Sequence, residues 1–279
     1  MKNAIETRQS DPRRPADSFW GTLLAAVGIF AATLLLVMVL QKAPWKRGWQ
    51  YALLGLTVLA PFAVWLAVLL RFELWPRWAQ RPRWLAPLAV AWGSLLSFAA
   101  ALVLEEIFDG IVASLGVPNL TTMIIAPFWE EVVKGIFIVL LYIIARRRLR
   151  GRWDGLVYGA LVGAGFGFAE DVAYLASRHG FADLASTYLV REIFTAHLHP
   201  MFTATTGLAA GMAARGRPPL GRALLWIFWG FLIAFILHAI FDSATVLVPG
   251  AALVFGPVYG VILVIALRRL RRQEWQGPE

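Results

Sequence analysis

Eight runs of about 17–25 mostly apolar residues divide this chain, each long enough to cross a bilayer as a helix. Lipid offers no partner to backbone N–H and C=O groups, so runs of this length imply an all-α, multi-pass membrane protein in which each run satisfies its own backbone. The runs cover 18–40, 49–70, 84–104, 121–144, 155–176, 193–214, 223–246 and 251–267. The stretches between them are too short for a soluble domain. One transmembrane domain over 18–267 is therefore expected, with its polar core over 121–246, a polar tail over 1–17 and a basic tail over 268–279. The first run exceeds the apolar stretch of a cleaved signal peptide and reads as a retained anchor.

Lys and Arg gather on the cytoplasmic side of membrane proteins. With both termini cytoplasmic, the cytoplasmic segments hold 20 of the 26 basic residues, in the clusters Lys2–Arg14, Arg71–Arg83, Arg146–Arg152, Arg215–Arg222 and Arg268–Arg272. The outer loops hold Lys42, Lys46, Arg47, Arg178 and Arg191, and Lys134 lies within the fourth run. The net charge of +9 is thus a topology signal and an attraction to anionic headgroups. It does not indicate nucleic acid, because the clusters are short and lack a recognition fold. The absence of cysteine excludes disulfides, thiolate metal sites and a cysteine nucleophile.

Ionisable residues interrupt four of the last five runs. A charge at mid-bilayer costs roughly 2.5–3.5 kcal/mol on insertion scales and is tolerated where it faces a polar cavity or a partner. The fourth run carries Glu130, Glu131 and Lys134, the fifth Glu170, the sixth His199, and the seventh His238 and Asp242. At about 1.5 Å per residue, Glu130 lies roughly 13 Å and His199 roughly 10 Å from the outer face, while Glu170, His238 and Asp242 lie roughly 24–30 Å up from the inner one. All fall in the outer half of the bilayer, as one site requires. Glu130 and Lys134 are i,i+4 neighbours, with Glu131 turned away, and His238 shares a face with Asp242, which can orient the imidazole or join it in ligating one centre.

Pro127 and Pro200 are expected to bend their helices and open a wet pocket. Glycines at 155, 159, 163 and 167 give the fifth run a small-xxx-small face for close helix packing, and no βαβ unit surrounds them that would make a nucleotide loop. Asp154 is expected to cap the fifth helix. Glu105 and Glu106 are expected to be solvated at the outer interface, His179 to be exposed, and His197 to support the site from behind.

The order Glu-Glu-x-x-Lys, Phe-x-x-x-Glu, His-Pro-Met-Phe-Thr and His-x-x-x-Asp, over about Pro127 to Ser243, resembles the PrsW family of polytopic membrane proteases, relatives of the broader CPBP-type group. Residue by residue, the family's Glu pair falls on Glu130 and Glu131, its Lys on Lys134, its next acid on Glu170 and its histidines on His199 and His238, with Arg191 and Asp242 also fitting. Asp171 departs from the family, which often has Asn there. The resemblance implies proteolysis of membrane-associated proteins, in bacteria often a single-span anti-sigma factor cut on its extracytoplasmic side at the start of a stress response.

Peptide hydrolysis needs an activated water, a stabiliser for the oxyanion and an acid for the leaving amine. Glu130 or Glu131 can act as the base, with His199, His238 and Glu170 completing the cradle. A zinc-assisted version has some of His199, His238 and Glu170 as ligands, though the contiguous His-Glu-x-x-His of common zinc proteases is absent. A proton-coupled transporter or channel, or a non-catalytic scaffold or immunity protein, would also bury such charges. The sequence shows no inverted repeat to favour transport. An Arg-to-Lys ratio of 22 to 4 suggests a high-GC bacterial genome, hence the bacterial plasma membrane.

Overall fold

The computed structural model describes residues 14–44, 47–69, 84–117, 119–149 and 151–275, and every regular element among them is helical. The helices are α1 (Arg14–Leu40), α2 (Gly48–Leu69), α3 (Leu85–Ala113, π-helical over Trp92–Ser97), α4 (Ala126–Ala145, entered by a π-helical turn at Thr121–Ile125), α5 (Arg152–Ala176), α6 (Phe181–Tyr188, continuing π-helical over Leu189–Phe194), α7 (Leu198–Gly216), α8 (Leu220–Leu247) and α9 (Ala251–Trp275). Most of the expected tail over 1–17, the loop arginines Arg71, Arg77, Arg81 and Arg83, and the end of the C-terminal tail lie outside the described residues, as does Lys46.

Seven of the eight apolar runs fall on one long helix each, and the sixth falls mostly on α7. Among the described residues, four helices are long and apolar enough to cross a membrane, namely Leu85–Ala113, Arg152–Ala176, Leu220–Leu247 and Ala251–Leu270. α4 carries three charges inside its apolar span, and α7 is rich in Ala, Gly and Thr; both turn those residues inward. Outward, α8 exposes Leu225, Phe228, Trp229, Ile233, Ile236 and Ile240. That apolar belt suits lipid rather than water.

Three expected boundaries differ: the last helix runs on from Leu267 to Trp275, through much of the segment expected as a basic tail. The third helix continues past Leu104 to Ala113, because Ile107, Phe108, Ile111 and Val112 extend its apolar pattern. The sixth run is not one helix: the chain breaks at Thr195–His197, and α7 begins at Leu198. Pro200 therefore sits in the first turn of α7, where a missing N–H costs nothing, and does not bend it. Pro127 likewise stands at the start of the α-helical part of α4.

α5 runs through the centre and packs most closely on α7, with α3 on another face. Glycine makes that approach possible. A Cβ on Gly159 would lie 3.0 Å from Ala204 Cα, and one on Gly163 would lie 2.9 Å from Pro200 Cα. Gly207 and Gly211 answer from α7, where Cβ atoms would meet Gly155 and Gly151–Arg152. A side chain at any of these positions would force the two helices apart. Toward α3, Gly165 and Gly93 give the same clearance against Val90 and Val162. The backbone carrying His199 is thus held against the helix carrying Glu170.

Polar ties fix the remaining neighbours. Trp92 Nε1 (3.1 Å) and Ser97 Oγ (3.2 Å) both donate to the carbonyl of Val133, holding the π-helical part of α3 against α4 between Glu130 and Lys134. Thr33 Oγ1 donates to Ser94 Oγ at 3.0 Å, tying α1 to the same stretch. Asp154 lies in the first turn of α5, while Gly151 holds the N-cap position expected for it. Its carboxylate is buried there.

Candidate active site

The i,i+3 and i,i+4 spacing on α4 lets Lys134 reach both neighbouring carboxylates, so neither Glu is left unpaired. Lys134 Nζ donates to Glu131 Oε1 at 2.8 Å and to Glu130 Oε2 at 3.0 Å. The ammonium is fully buried and lies 3.9 Å above the Phe166 ring. An unpaired ammonium would be prohibitive at this depth; two carboxylates and an aromatic face offset the lost hydration.

Glu131 is enclosed on every side. It is 0% exposed, and besides Lys134 it accepts from Thr203 Oγ1 of α7 at 3.0 Å and from His238 Nδ1 of α8 at 3.2 Å. Glu130, in contrast, borders a cleft of about 290 Å³ between α1, α3 and α5, which is also lined by Glu105, Glu170, Phe98 and Tyr174. The two adjacent glutamates are thus inequivalent. One braces a histidine, and the other faces the space a reactant can enter.

The histidine tautomers follow from their partners. His199 Nε2 lies 2.8 Å from Glu170 Oε2, and a carboxylate only accepts, so Nε2 carries the proton. The bare Nδ1 then accepts from Lys134 Nζ at 3.2 Å and lies 3.8 Å from Glu130 Oε2. His238 donates through Nδ1 to Glu131, leaving Nε2 bare, 3.9 Å from Glu130 Oε2 and 3.6 Å from Asp242 Oδ2. Asp242 is therefore beyond hydrogen-bond range of the imidazole; Glu131 orients it. The Phe202 ring stacks on His238 at 4.7 Å between centroids, and Gly167 leaves room for the His199 ring, whose Cδ2 would be 3.2 Å from a Cβ there.

Behind His199, Arg191 bridges Glu170 and Asp171, and its guanidinium lies 4.0 Å over the Tyr174 ring. A planar guanidinium can join two adjacent carboxylates and stack at once, which a lysine cannot. The path Asp171–Arg191–Glu170–His199 locks the imidazole from its far side. Asp171 is thus a partner of Arg191.

Glu130, His199 and His238 each offer one ligand atom, all within 4.8 Å of one another. Zinc with N and O ligands at about 2.0–2.2 Å has tetrahedral edges of about 3.4 Å, close to the 3.8 and 3.9 Å measured from Glu130. Each imidazole also donates its far N–H to a carboxylate, the pattern that accompanies metal-bound histidine. Carboxyl groups outnumber the cations here: Glu130 and Glu131 pair with Lys134, Glu170 and Asp171 pair with Arg191, and Glu105, Glu192 and Asp242 lie close by. The donor set therefore fits a divalent cation, with Glu130 standing where the sequence suggested Glu170. Glu170 is occupied by Arg191 and His199.

Two positions differ from expectation, and a third, Thr203, was not singled out in the sequence. His197 points away from the site: its Nε2 lies 2.9 Å from the Gly256 carbonyl on α9. Glu105 lines the cleft rather than sitting at a solvated helix end; the apolar residues after it were the signal. Thr203, fourth after His199 and last in the His-Pro-Met-Phe-Thr motif, holds Glu131.

The chain is 31% identical over 134 residues to Protease PrsW of Geobacillus kaustophilus (strain HTA426), a match over 48% of this chain and 54% of that protein. The chain thus spans about half the length of the curated relative it matches. No solved structure matches it. Residues 81–268 match the family described as PrsW family intramembrane metalloprotease. That range holds α3 to α8, most of α9 and every residue of the site, and the chain belongs to this family of intramembrane metalloproteases.

Proposed function

We propose that the protein is an intramembrane endopeptidase that hydrolyses peptide bonds of membrane proteins with a water activated at Glu130, His199 and His238. One observation carries this reading. Two imidazoles, each holding its proton against a separate carboxylate, present their bare nitrogens with Glu130 to one space beside the cleft. Such a set can hold a water and take its proton.

In the metal-free version Glu130 removes the proton from water as it attacks the carbonyl, and returns that proton to the amine nitrogen as the C–N bond breaks. His238 orients that water through its bare Nε2, His199 holds Lys134 through Nδ1 so that its positive charge lies near the developing oxyanion, and Glu131, Glu170 and Arg191 keep the rings from turning. In the zinc-assisted version the same three side chains would hold the ion, and a bound zinc would lower the pKa of a water it carries. The contact between Lys134 and His199 Nδ1 would then lengthen. The family description and the donor spacing favour this version.

The eight long helices are read as eight membrane crossings with both termini cytoplasmic, and a bacterial plasma membrane as the site of action. A single-span protein such as an anti-sigma factor, cut near its extracytoplasmic end, fits a site in the outer half of the bilayer. The test is purified protein in liposomes with single-span candidates. A new N-terminus formed by the intact protein and missing with Glu130→Gln and His238→Ala supports the reading; cleavage unchanged in both variants refutes it.

A further inference from the structure

A second cavity, of about 460 Å³, lies at the end of the bundle where α1 turns into α2 and α5 into α6. Arg47, Arg178 and His179 line it with Tyr51, Trp49 and Phe181; among the described residues no acidic one lines it, and Asp183 stands beside it, accepting from the His179 N–H at 3.2 Å. The catalytic cleft has the opposite character, with Glu105, Glu130 and Glu170 on its wall and Arg178 its one basic lining residue.

The two spaces adjoin, since Arg178 lines both. They also share a polar bridge: Tyr51, on the outer cavity, donates its hydroxyl to Gln41 Oε1, on the cleft, at 2.6 Å. Arg178 is held in place by its Nε bond to the Tyr174 carbonyl at 3.2 Å, and Asp183 approaches it only to 3.9 Å from an exposed position. Its side chain remains about one-third exposed. A chain leaving the cleft toward this end therefore passes from a wall with three carboxyl groups to one with two arginines.

We propose that the outer cavity docks an acidic stretch of the substrate chain, on the flank that leaves the membrane at this end. The inference rests on the peptidase reading and adds a substrate preference to it. Arg178 follows Glu170 by eight residues, or about 12 Å of helix, and an extended chain covers about 3.3 Å per residue. The acidic residues therefore stand about four positions from the bond that is cut. A peptide fits better than a free headgroup because the cavity continues into the cleft. Trp49 and Phe181, 66% and 86% exposed, supply the interfacial aromatic rim that such a chain would cross.

The test uses Glu130→Gln protein, which removes cleavage from the readout, in nanodiscs of neutral phosphatidylcholine. The probes are two fluorescent single-span peptides of about 30 residues that differ only in three Glu or three Lys at one flank. The acidic peptide is expected to bind about tenfold more tightly at low salt, with the ratio shrinking as salt rises. Adding Arg47→Glu and Arg178→Glu should reverse the preference, while Arg178→Lys should keep it. Equal affinities, binding of neither peptide, or a preference that survives the charge reversal overturns the proposal. Anionic lipid that displaces the acidic peptide while leaving the lysine peptide unaffected also overturns it, assigning the cavity to headgroups. Cleavage is read separately with Glu130 intact, so a docking preference without any cutting would refute the peptidase reading alone.

Discussion

Glu131→Gln and Glu130→Gln should fail in different ways although the residues are adjacent. Glu131 accepts from Lys134, His238 and Thr203 at 2.8, 3.2 and 3.0 Å with no exposed surface. A glutamine there presents an NH2 to at least one of those donors and leaves Lys134 balanced by Glu130 alone. Breaking a buried charge pair by removing one partner costs about 3–5 kcal/mol. At 2–4 °C per kcal/mol for a chain of this size, the unfolding midpoint should fall by roughly 10 °C. Glu130→Gln loses one carboxylate contact to Lys134 beside an open cleft, and its midpoint should fall by only about a third as much. Both variants should lose cleavage, the first because His238 is no longer held and the second because the proton acceptor is gone. Intrinsic fluorescence of the 13 tryptophans in detergent, with size-exclusion chromatography as a check, reads the midpoints. Equal midpoints, or a Glu131→Gln protein with native stability and cleavage, would refute the distinction between bracing and reacting carboxylates.

Gly163→Leu should separate α7 from α5, because even a Cβ there lies 2.9 Å from Pro200 Cα, and should remove cleavage by shifting His199; crosslinking between the helices and a cleavage assay would check it. Arg191→Lys should lower kcat about tenfold or more with little change in KM, since lysine cannot bridge Glu170 and Asp171 while covering Tyr174; unchanged kcat would show that the bridge does not position His199. Purified protein should carry about one zinc per chain, lost in His199→Gln and in His238→Gln; an active preparation without zinc removes the zinc-assisted version. His197→Ala should reduce thermal stability and leave the cleavage rate per folded molecule unchanged, because its contact is with Gly256 on α9.

The helices were legible because apolar length has one meaning in a bilayer, and the site was legible because Glu130, Glu170, His199 and His238 reach one depth from four helices. Periodicity gives the face a residue occupies but not its neighbour across the gap. The pairing of Lys134 with both glutamates stays within α4, but that of Glu131 rather than Asp242 with His238 depended on where α8 lies against α4. The break before α7 was hidden because Ile193 and Phe194 continue the apolar run, although Arg191 and Glu192 beside them turn inward as π-helical residues. Glu105 was hidden for a related reason: its pair with Glu106 resembles a helix end, yet only Glu106 is exposed. The inequivalence of Glu130 and Glu131 lies wholly in tertiary structure, since both share one helix and one lysine.

The central claim, that Glu130 faces a water which cuts membrane proteins, is tested most directly by comparing protein N-termini in host membranes. The comparison sets the intact gene against Glu130→Gln at matched expression and under matched stress. The account predicts a small set of termini lost with Glu130→Gln, within the outer half of single-span segments. Identical sets of termini, with both proteins folded in the membrane, would contradict it.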